Sequence, residues 1–229
     1  ALPAVPEEVL SLPGVHYGIF TNGAVVRDFG KNTWVSESCL SWEETIRVIE
    51  VLRRHPVIYD MYVSEGGVSE TRLLAQLEEY GIPERECAYI RATRRAVTDM
   101  VEYLREKKCP VQKMNLNFKD RESKQAVRAQ LEAMPEVLVT SSLPWNLELN
   151  AAGITKGSGL RNLCQYLGIE AEETMAFGDG ENDWPMLEAA GIGVAMENGA
   201  PFLKERADRI AASNWEDGVA EAIRRWVLI

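Results

Sequence analysis

Histidine is nearly missing from this chain, and cysteine is sparse and scattered. The 229 residues include only two histidines and four cysteines. Cys39, Cys87, Cys109 and Cys164 form no C-x-x-C pair, so a zinc site or a dithiol redox centre lacks its usual ligands. The four thiols read as small buried hydrophobes. His16 and His55 each stand alone and read as structural or exposed. No run of about 18 apolar residues occurs, so no helix is long enough to cross a bilayer and no membrane partner is expected. The opening ALPAVPEEVL has neither the basic nor the apolar region of a signal peptide, which sets the expectation of a cytoplasmic protein. Basic excess is also missing. Against 25 Lys and Arg stand 35 Asp and Glu, a net charge of −10, which argues against a nucleic-acid partner.

Several motif absences narrow the chemistry. There is no G-x-S-x-G elbow, which removes an α/β-hydrolase triad. There is no G-x-x-x-x-G-K-[ST], no G-x-G-x-x-G and no EF-hand loop. Internal repeats and low-complexity tracts are absent too. What remains is 46% hydrophobic and 26% charged, the composition of an ordinary globular chain, with room for one large domain or two small ones.

The pattern alternates strands and helices. Tyr17–Phe20 reads as a strand, and Ala24–Val26 and Thr33–Val35 as a hairpin across Asp28–Asn32. Ser41 and Glu44 make a capping box before a striped helix. Val57–Val63 reads as a strand, and Ser69 as the cap of a helix stopped by Gly81. A third helix spans Thr98 to about Lys107. In Val111–Phe118, apolar and polar residues alternate, as they do when Trp145, Leu147 and Leu149 interleave with Asn146, Glu148 and Asn150; such strands predict a sheet with one open face. A helix over about Arg121–Ala133 and a strand at Val137–Thr140 lie between them. The last third differs. Short apolar strands at Thr174–Phe177, Ile192–Met196 and Ile210–Ala212 alternate with helices, which predicts a parallel sheet covered on both faces. Asn198 is placed to cap a helix that has Pro201 in its first turn.

Charge divides the chain along the same lines. Residues 1–37 and 148–229 carry 18 acidic and 9 basic side chains, whereas 38–147 carry 17 and 16. A cation-requiring site in the outer segments would produce this asymmetry, as would a solvated acidic surface.

Three stretches could carry chemistry. Phe177-Gly178-Asp179-Gly180-Glu181-Asn182-Asp183 crowds hard oxygen ligands behind an apolar strand, where open α/β sheets bind ligands; such donors suit Mg²⁺ or Ca²⁺, although a solvated turn with an N-cap uses the same residue types. Lys156, in Gly153–Gly159, stands at a helix start, where the macrodipole disfavours a cation and backbone amides attract anions; a phosphate would reconcile the two, and an exposed lysine is the alternative. Thr21-Asn22-Gly23 ends the first strand with neutral hydrogen-bonding groups, or else forms a plain turn. The basic stretch Arg91, Arg94 and Arg95 could meet an anion but reads first as a solvated face.

Taken in order, YGIFTNGAVV, TSSLPWNLELNAAGITKGSGL, MAFGDGENDWPMLEAAGIGVAM and ENGAPFLKERADRIAASNWEDGVAEAI resemble the haloacid dehalogenase superfamily, and within it the Cof-like phosphatase branch. The resemblance implies an α/β fold, a Rossmann-like three-layer parallel-sheet core (residues 1–37 and 148–229) with an inserted α+β cap domain (residues 38–147). It implies a Mg²⁺-dependent phosphatase for small phosphorylated metabolites, sugar phosphates first among them, working through an aspartyl-phosphate. By position, Asp179 would bind Mg²⁺ with Asn182 near it. Lys156 would hold the phosphoryl group or the nucleophile, and Asp183 would orient Lys156 or support the metal. Thr21, Asn22 and Gly23 would lie against the phosphate, and the cap would close over the leaving group.

One departure qualifies this. The family opens on a D-x-D-G-T strand end whose first Asp is the nucleophile, and no D-x-D-G occurs here. The second motif's Ser/Thr is missing as well. The expectation is therefore a chain lacking the opening strand–helix–strand block, with unpaired strand edges beside the gap and negligible phosphatase activity of its own. A non-catalytic module that binds a phosphorylated ligand or partner through Lys156, Asn22 and the cap is the alternative.

Overall fold

The structure, a computed structural model, describes residues 5–228. A short helix α1 (Glu7–Leu10) precedes β1 (Tyr17–Phe20), β2 (Val25–Asp28) and β3 (Thr33–Glu37), an antiparallel three-stranded sheet in that order. The expected hairpin is present, and Asp28 fastens its turn by accepting from Lys31 N at 2.8 Å.

The chain then enters a larger layer. Helix α2 (Trp42–Leu52) starts at the Ser41–Glu44 capping box: Ser41 N donates to Glu44 Oε2 at 2.7 Å and Glu44 N to Ser41 Oγ at 3.2 Å. There follow β4 (Val57–Val63), β5 (Gly66–Glu70), α3 (Thr71–Leu74), α4 (Glu84–Thr93), β6 (Arg94–Val97), α5 (Met100–Lys107), β7 (Lys113–Phe118), α6 (Arg121–Glu132), β8 (Val137–Thr140) and β9 (Asn146–Ala151). The six strands form one sheet, β6-β5-β4-β7-β9-β8, antiparallel except between β5 and β6. Strand alternation turns Met61, Met114, Leu116, Leu147 and Leu149 to one face. There they pack with Ile49, Leu52, Leu104 and Leu131 from α2, α5 and α6, all essentially inaccessible to water. This is the main hydrophobic core. Strand β9 stays in this sheet to Ala151, a few residues past the expected boundary at 147/148.

The remainder is α7 (Lys156–Leu167), β10 (Met175–Gly178), α8 (Trp184–Ala189), β11 (Ile192–Met196), α9 (Pro201–Arg206), β12 (Arg209–Ala211) and α10 (Gly218–Trp226). Here the expected parallel sheet, β10-β11-β12, is found. One face buries Ala176 and Ala195 against Leu187 and Leu203 of α8 and α9; the other buries Val194, Met196 and Ala211 against Ala222 of α10. Among the described residues, β1 pairs only with β2 and β10 only with β11, so the two three-stranded sheets share no ladder. Helix α7 joins them, packing on the β1–β3 sheet on one side and on α8 on the other.

Four local expectations are corrected. Ser69 caps no helix. It lies in β5 and donates to Tyr59 O at 3.1 Å, and the expected single helix is split into α3 and a 3₁₀ turn at Leu77–Tyr80. Gly81 does end that stretch, with φ of 71°. Asn198 is not the cap of α9, which is Ala200; its amide instead accepts from Asn214 N at 2.9 Å. Arg94 does not belong to a solvated face: its side chain is buried against Asp60, with Nε donating at 2.6 Å. Finally, the polar side of β9 is not open, since Asn146, Glu148 and Asn150 are all buried. Polarity alternates with period two on any strand with one wet neighbour, whether that neighbour is solvent or a polar site.

Candidate active site

The site is assembled around the N-terminus of α7. Thr155 is its N-cap, and a reciprocal pair closes it: Ser158 N donates to Thr155 Oγ1 at 3.0 Å, and Thr155 N to Ser158 Oγ at 2.9 Å. Lys156 is therefore the first helical residue, where the backbone dipole repels its charge. The compensation is Asp183, whose Oδ1 accepts from Lys156 Nζ. Its other oxygen, Oδ2, accepts from Asp179 N and Gly180 N, each at 2.9 Å. One buried carboxylate thus folds the Gly178–Asp183 turn and anchors the ammonium, which keeps about a third of its surface exposed.

Glycine makes the close approach possible. A Cβ on Gly157 would lie 2.0 Å from Pro185 O, and one on Gly23 would lie 2.0 Å from Thr155 O. The first contact seats α7 against the start of α8. The second seats it against the Thr21–Gly23 turn. That turn is conformationally costly, because Thr21, Asn22 and Gly23 all have positive φ, of 49°, 59° and 96°. A β-branched residue rarely adopts this region, and each non-glycine residue there costs about 1–2 kcal/mol. Asn150 stabilises the turn by donating from Nδ2 to Thr21 O at 2.8 Å. The Thr21 hydroxyl is buried without a hydrogen-bond partner among the described residues.

A second buried carboxylate, Glu148, joins the larger sheet to this site. Its Oε1 accepts from Lys113 Nζ at 2.7 Å and Ser142 Oγ at 3.0 Å. Its Oε2 accepts from Asn22 Nδ2 at 2.8 Å and Asn182 Nδ2 at 3.0 Å. Burial pushes the Glu148 carboxyl up, but Lys113 and the donated hydrogen bonds outweigh it and hold it below the usual carboxylate range. Asn182 also reaches Asn22 Oδ1, at 3.4 Å.

All seven residues read from the sequence meet here. Asn182 touches Asn22, Asp183 holds the backbone of the turn that carries Asp179 and Asn182, and the same carboxylate holds Lys156. Asp179 is exposed, and among the described residues its carboxylate accepts only a 3.4 Å contact from Asn198 Nδ2. Among the described residues no three His, Cys, Asp or Glu side chains converge as a metal cluster. The donor set still suits a hard cation: in a turn where Asp183 is satisfied by Lys156 and two amides and Glu181 by Arg128, the Asp179 carboxylate is held by one long contact alone. Sequence reasoning missed Glu148, Asn150, Lys113 and Ser142. A signal existed, because β9 and β7 place Asn, not Lys or Glu, at most of their polar positions, and amides are poor choices for a merely solvated strand.

A family model for haloacid dehalogenase-like hydrolases matches residues 5–223. Among curated proteins, the 5-amino-6-(5-phospho-D-ribitylamino)uracil phosphatase of Bacillus subtilis is 43% identical over 116 residues, which cover 51% of this chain and 47% of that protein. The chain spans less than half the length of the curated relatives it matches. Among solved structures, a haloacid dehalogenase-like hydrolase from Bacteroides thetaiotaomicron is 30% identical, with a TM-score of 0.74 over 91% of this chain and 76% of that one. A haloacid dehalogenase-like hydrolase from B. subtilis shares the fold with a TM-score of 0.81 at 24% identity, covering 93% of this chain and 81% of that one. With nearly its whole length matched and the fold shared, the chain belongs to the haloacid dehalogenase-like hydrolase family.

Proposed function

We propose that this chain carries the phosphate- and cation-holding part of a phosphoric monoester hydrolase site that acts on small phosphorylated metabolites. The observation that carries the proposal is Lys156: an ammonium at the N-terminus of a helix whose first turn packs on Gly23, clamped by Asp183. A bound phosphoryl group would meet the α7 amides and the lysine charge together. Asn22 has its amide engaged by Glu148, Asn150 and Asn182, so its part is to fix the turn beside the lysine. Mg²⁺ would be held by Asp179 with Asn182 beside it, and would supply charge neutralisation of phosphoryl oxygens. The six-stranded layer would cover the leaving group as a cap. The phosphorylated ribityl compound named for the Bacillus relative supports a small polar substrate.

Asp183 is engaged by Lys156 and two amides and Asp179 would hold the cation, which leaves neither aspartate of the site free to act as a nucleophile. The chain alone is therefore expected to bind phosphate without turning over esters. Calorimetric titration with inorganic phosphate in Mg²⁺ excess tests the first part. Binding weakened about tenfold or more by Lys156→Ala is the expected result, and absence of binding by the unaltered chain refutes it. Assay of the chain with p-nitrophenyl phosphate tests the second; robust turnover abolished by Asp179→Ala would overturn it.

A further inference from the structure

A second cavity, of about 620 Å³, opens at the end of the six-stranded sheet, beyond β7 and beside the β8–β9 loop. Its walls include Lys119, Arg121, Lys124 and Arg128 on one side and Pro144 and Trp145 on the other. The charge on the cationic side is only partly met. Lys119 reaches Glu79 at 3.0 Å, and Arg128 reaches Glu132 at 2.7 Å and Glu181 at 3.0 Å. Lys124 meets no carboxylate among the described residues. Its half-buried ammonium donates to Pro144 O at 2.9 Å, to Ser141 Oγ at 3.1 Å and to Leu143 O at 3.5 Å, all neutral oxygens. Burial, and then the neighbouring Arg128, push its pKa below the ordinary lysine value. Arg121 also makes no ion pair among the described residues. The lining carboxylate, Asp120, is used at the start of α6, accepting from Ser123 N at 2.7 Å and Ser123 Oγ at 2.9 Å. Opposite this surplus stands Trp145, 44% exposed. A large indole left in water beside unneutralised cations has the make-up of a ligand wall, where an aromatic face takes a flat ring and the cations take an anion.

We propose that this cavity is a second ligand site, separate from Lys156 and Asp183, for a small phosphorylated compound that carries a flat ring. The ring stacks on Trp145, and the phosphate lies among Lys124, Arg121 and Arg128. The pairing of Arg128 with Glu181 gives the site its link to the Gly178–Asp183 turn. A bound anion competes with the Glu181 carboxylate for the same guanidinium. The proposal does not depend on the function proposed above.

Adenosine monophosphate is the probe, titrated into the whole chain without Mg²⁺ and followed by calorimetry and tryptophan fluorescence. It should bind and quench, with adenosine and inorganic phosphate each about tenfold weaker or more, since each offers half of the recognition. Arg121→Glu, an exposed reversal that leaves the fold untouched, and Lys124→Gln should each weaken it about tenfold. Trp145→Leu should remove the quench. Glu181→Gln should tighten binding a few-fold by removing the competing carboxylate. The proposal is overturned if adenosine monophosphate does not bind, if phosphate alone binds as well, or if Lys156→Ala abolishes binding while Arg121→Glu and Lys124→Gln do not.

Discussion

Replacing Glu148 with Gln is the most direct measure of how firmly the six-stranded layer is tied to the site. The change conserves shape and removes one charge. Four donors converge on this carboxylate, two on each oxygen: Lys113 and Ser142 on one, Asn22 and Asn182 on the other. A carboxylate accepts from all four, whereas a glutamine offers one accepting oxygen and one NH₂. Whichever way it is turned, two donors face another donor. If the amide nitrogen faces Lys113, an ammonium that is 14% exposed loses its counter-charge. Breaking a buried pair by removing one partner costs about 3–5 kcal/mol, and the residual exposure here puts the expected loss near the lower end, about 3 kcal/mol. Urea unfolding followed by far-UV circular dichroism reads this as a lower midpoint at unchanged slope. Adding Lys113→Met to Glu148→Gln removes the stranded cation, so the double variant should recover roughly half the loss, a coupling above about 1 kcal/mol. A loss below about 0.5 kcal/mol for the single variant, typical of surface pairs, would refute the reasoning, as would strict additivity of the two changes.

Other outcomes follow from the same geometry. Gly23→Ala places a methyl on the Thr155 carbonyl at positive φ, and should lower stability by about 2 kcal/mol or more, measured by thermal unfolding. Leu147→Ala, at a site with no solvent exposure, should cost about 2–5 kcal/mol in the same experiment. Because the Glu148 carboxyl titrates below its usual 4.5 in the folded chain, its contribution is complete above that value and is lost as pH falls through the lowered one. The melting temperature should therefore drop more steeply below about pH 4.5 in the unaltered chain than in Glu148→Gln. Asp183→Ala should release both the Lys156 ammonium and the two turn amides. It should weaken phosphate binding at least as much as Lys156→Ala does, measured by calorimetry.

Much of this was legible in the sequence because the signals were local. The Ser41–Glu44 box, the Gly81 stop and the apolar strands at Ile192–Met196 depend on neighbours a few residues away, and each element is found where those signals lie. The seven candidate site residues were legible for a similar reason, since each lies in a compact motif at a strand end or helix start. Glu148 was not. Its partners Asn22, Lys113 and Asn182 are brought to it by strand register and by the packing of α7, and no periodicity encodes whether the polar side of β9 meets water or another sheet. Arg94 was misread on the same ground: a run of basic residues looks solvated until the parallel pairing of β5 and β6 carries one of them over Asp60 and Tyr62.

The absence of a ladder between the two three-stranded sheets has a mechanical consequence. Strand-to-strand zipping cannot pass from one to the other, so their cooperation runs through α7, clasped at Gly157 and against Gly23, and through the Asn22–Glu148–Asn182 contacts. The helix acts as a dowel between two boards. Its amides should exchange with deuterium as slowly as any in the smaller sheets, and loosening it should make those sheets melt as two separate events rather than one.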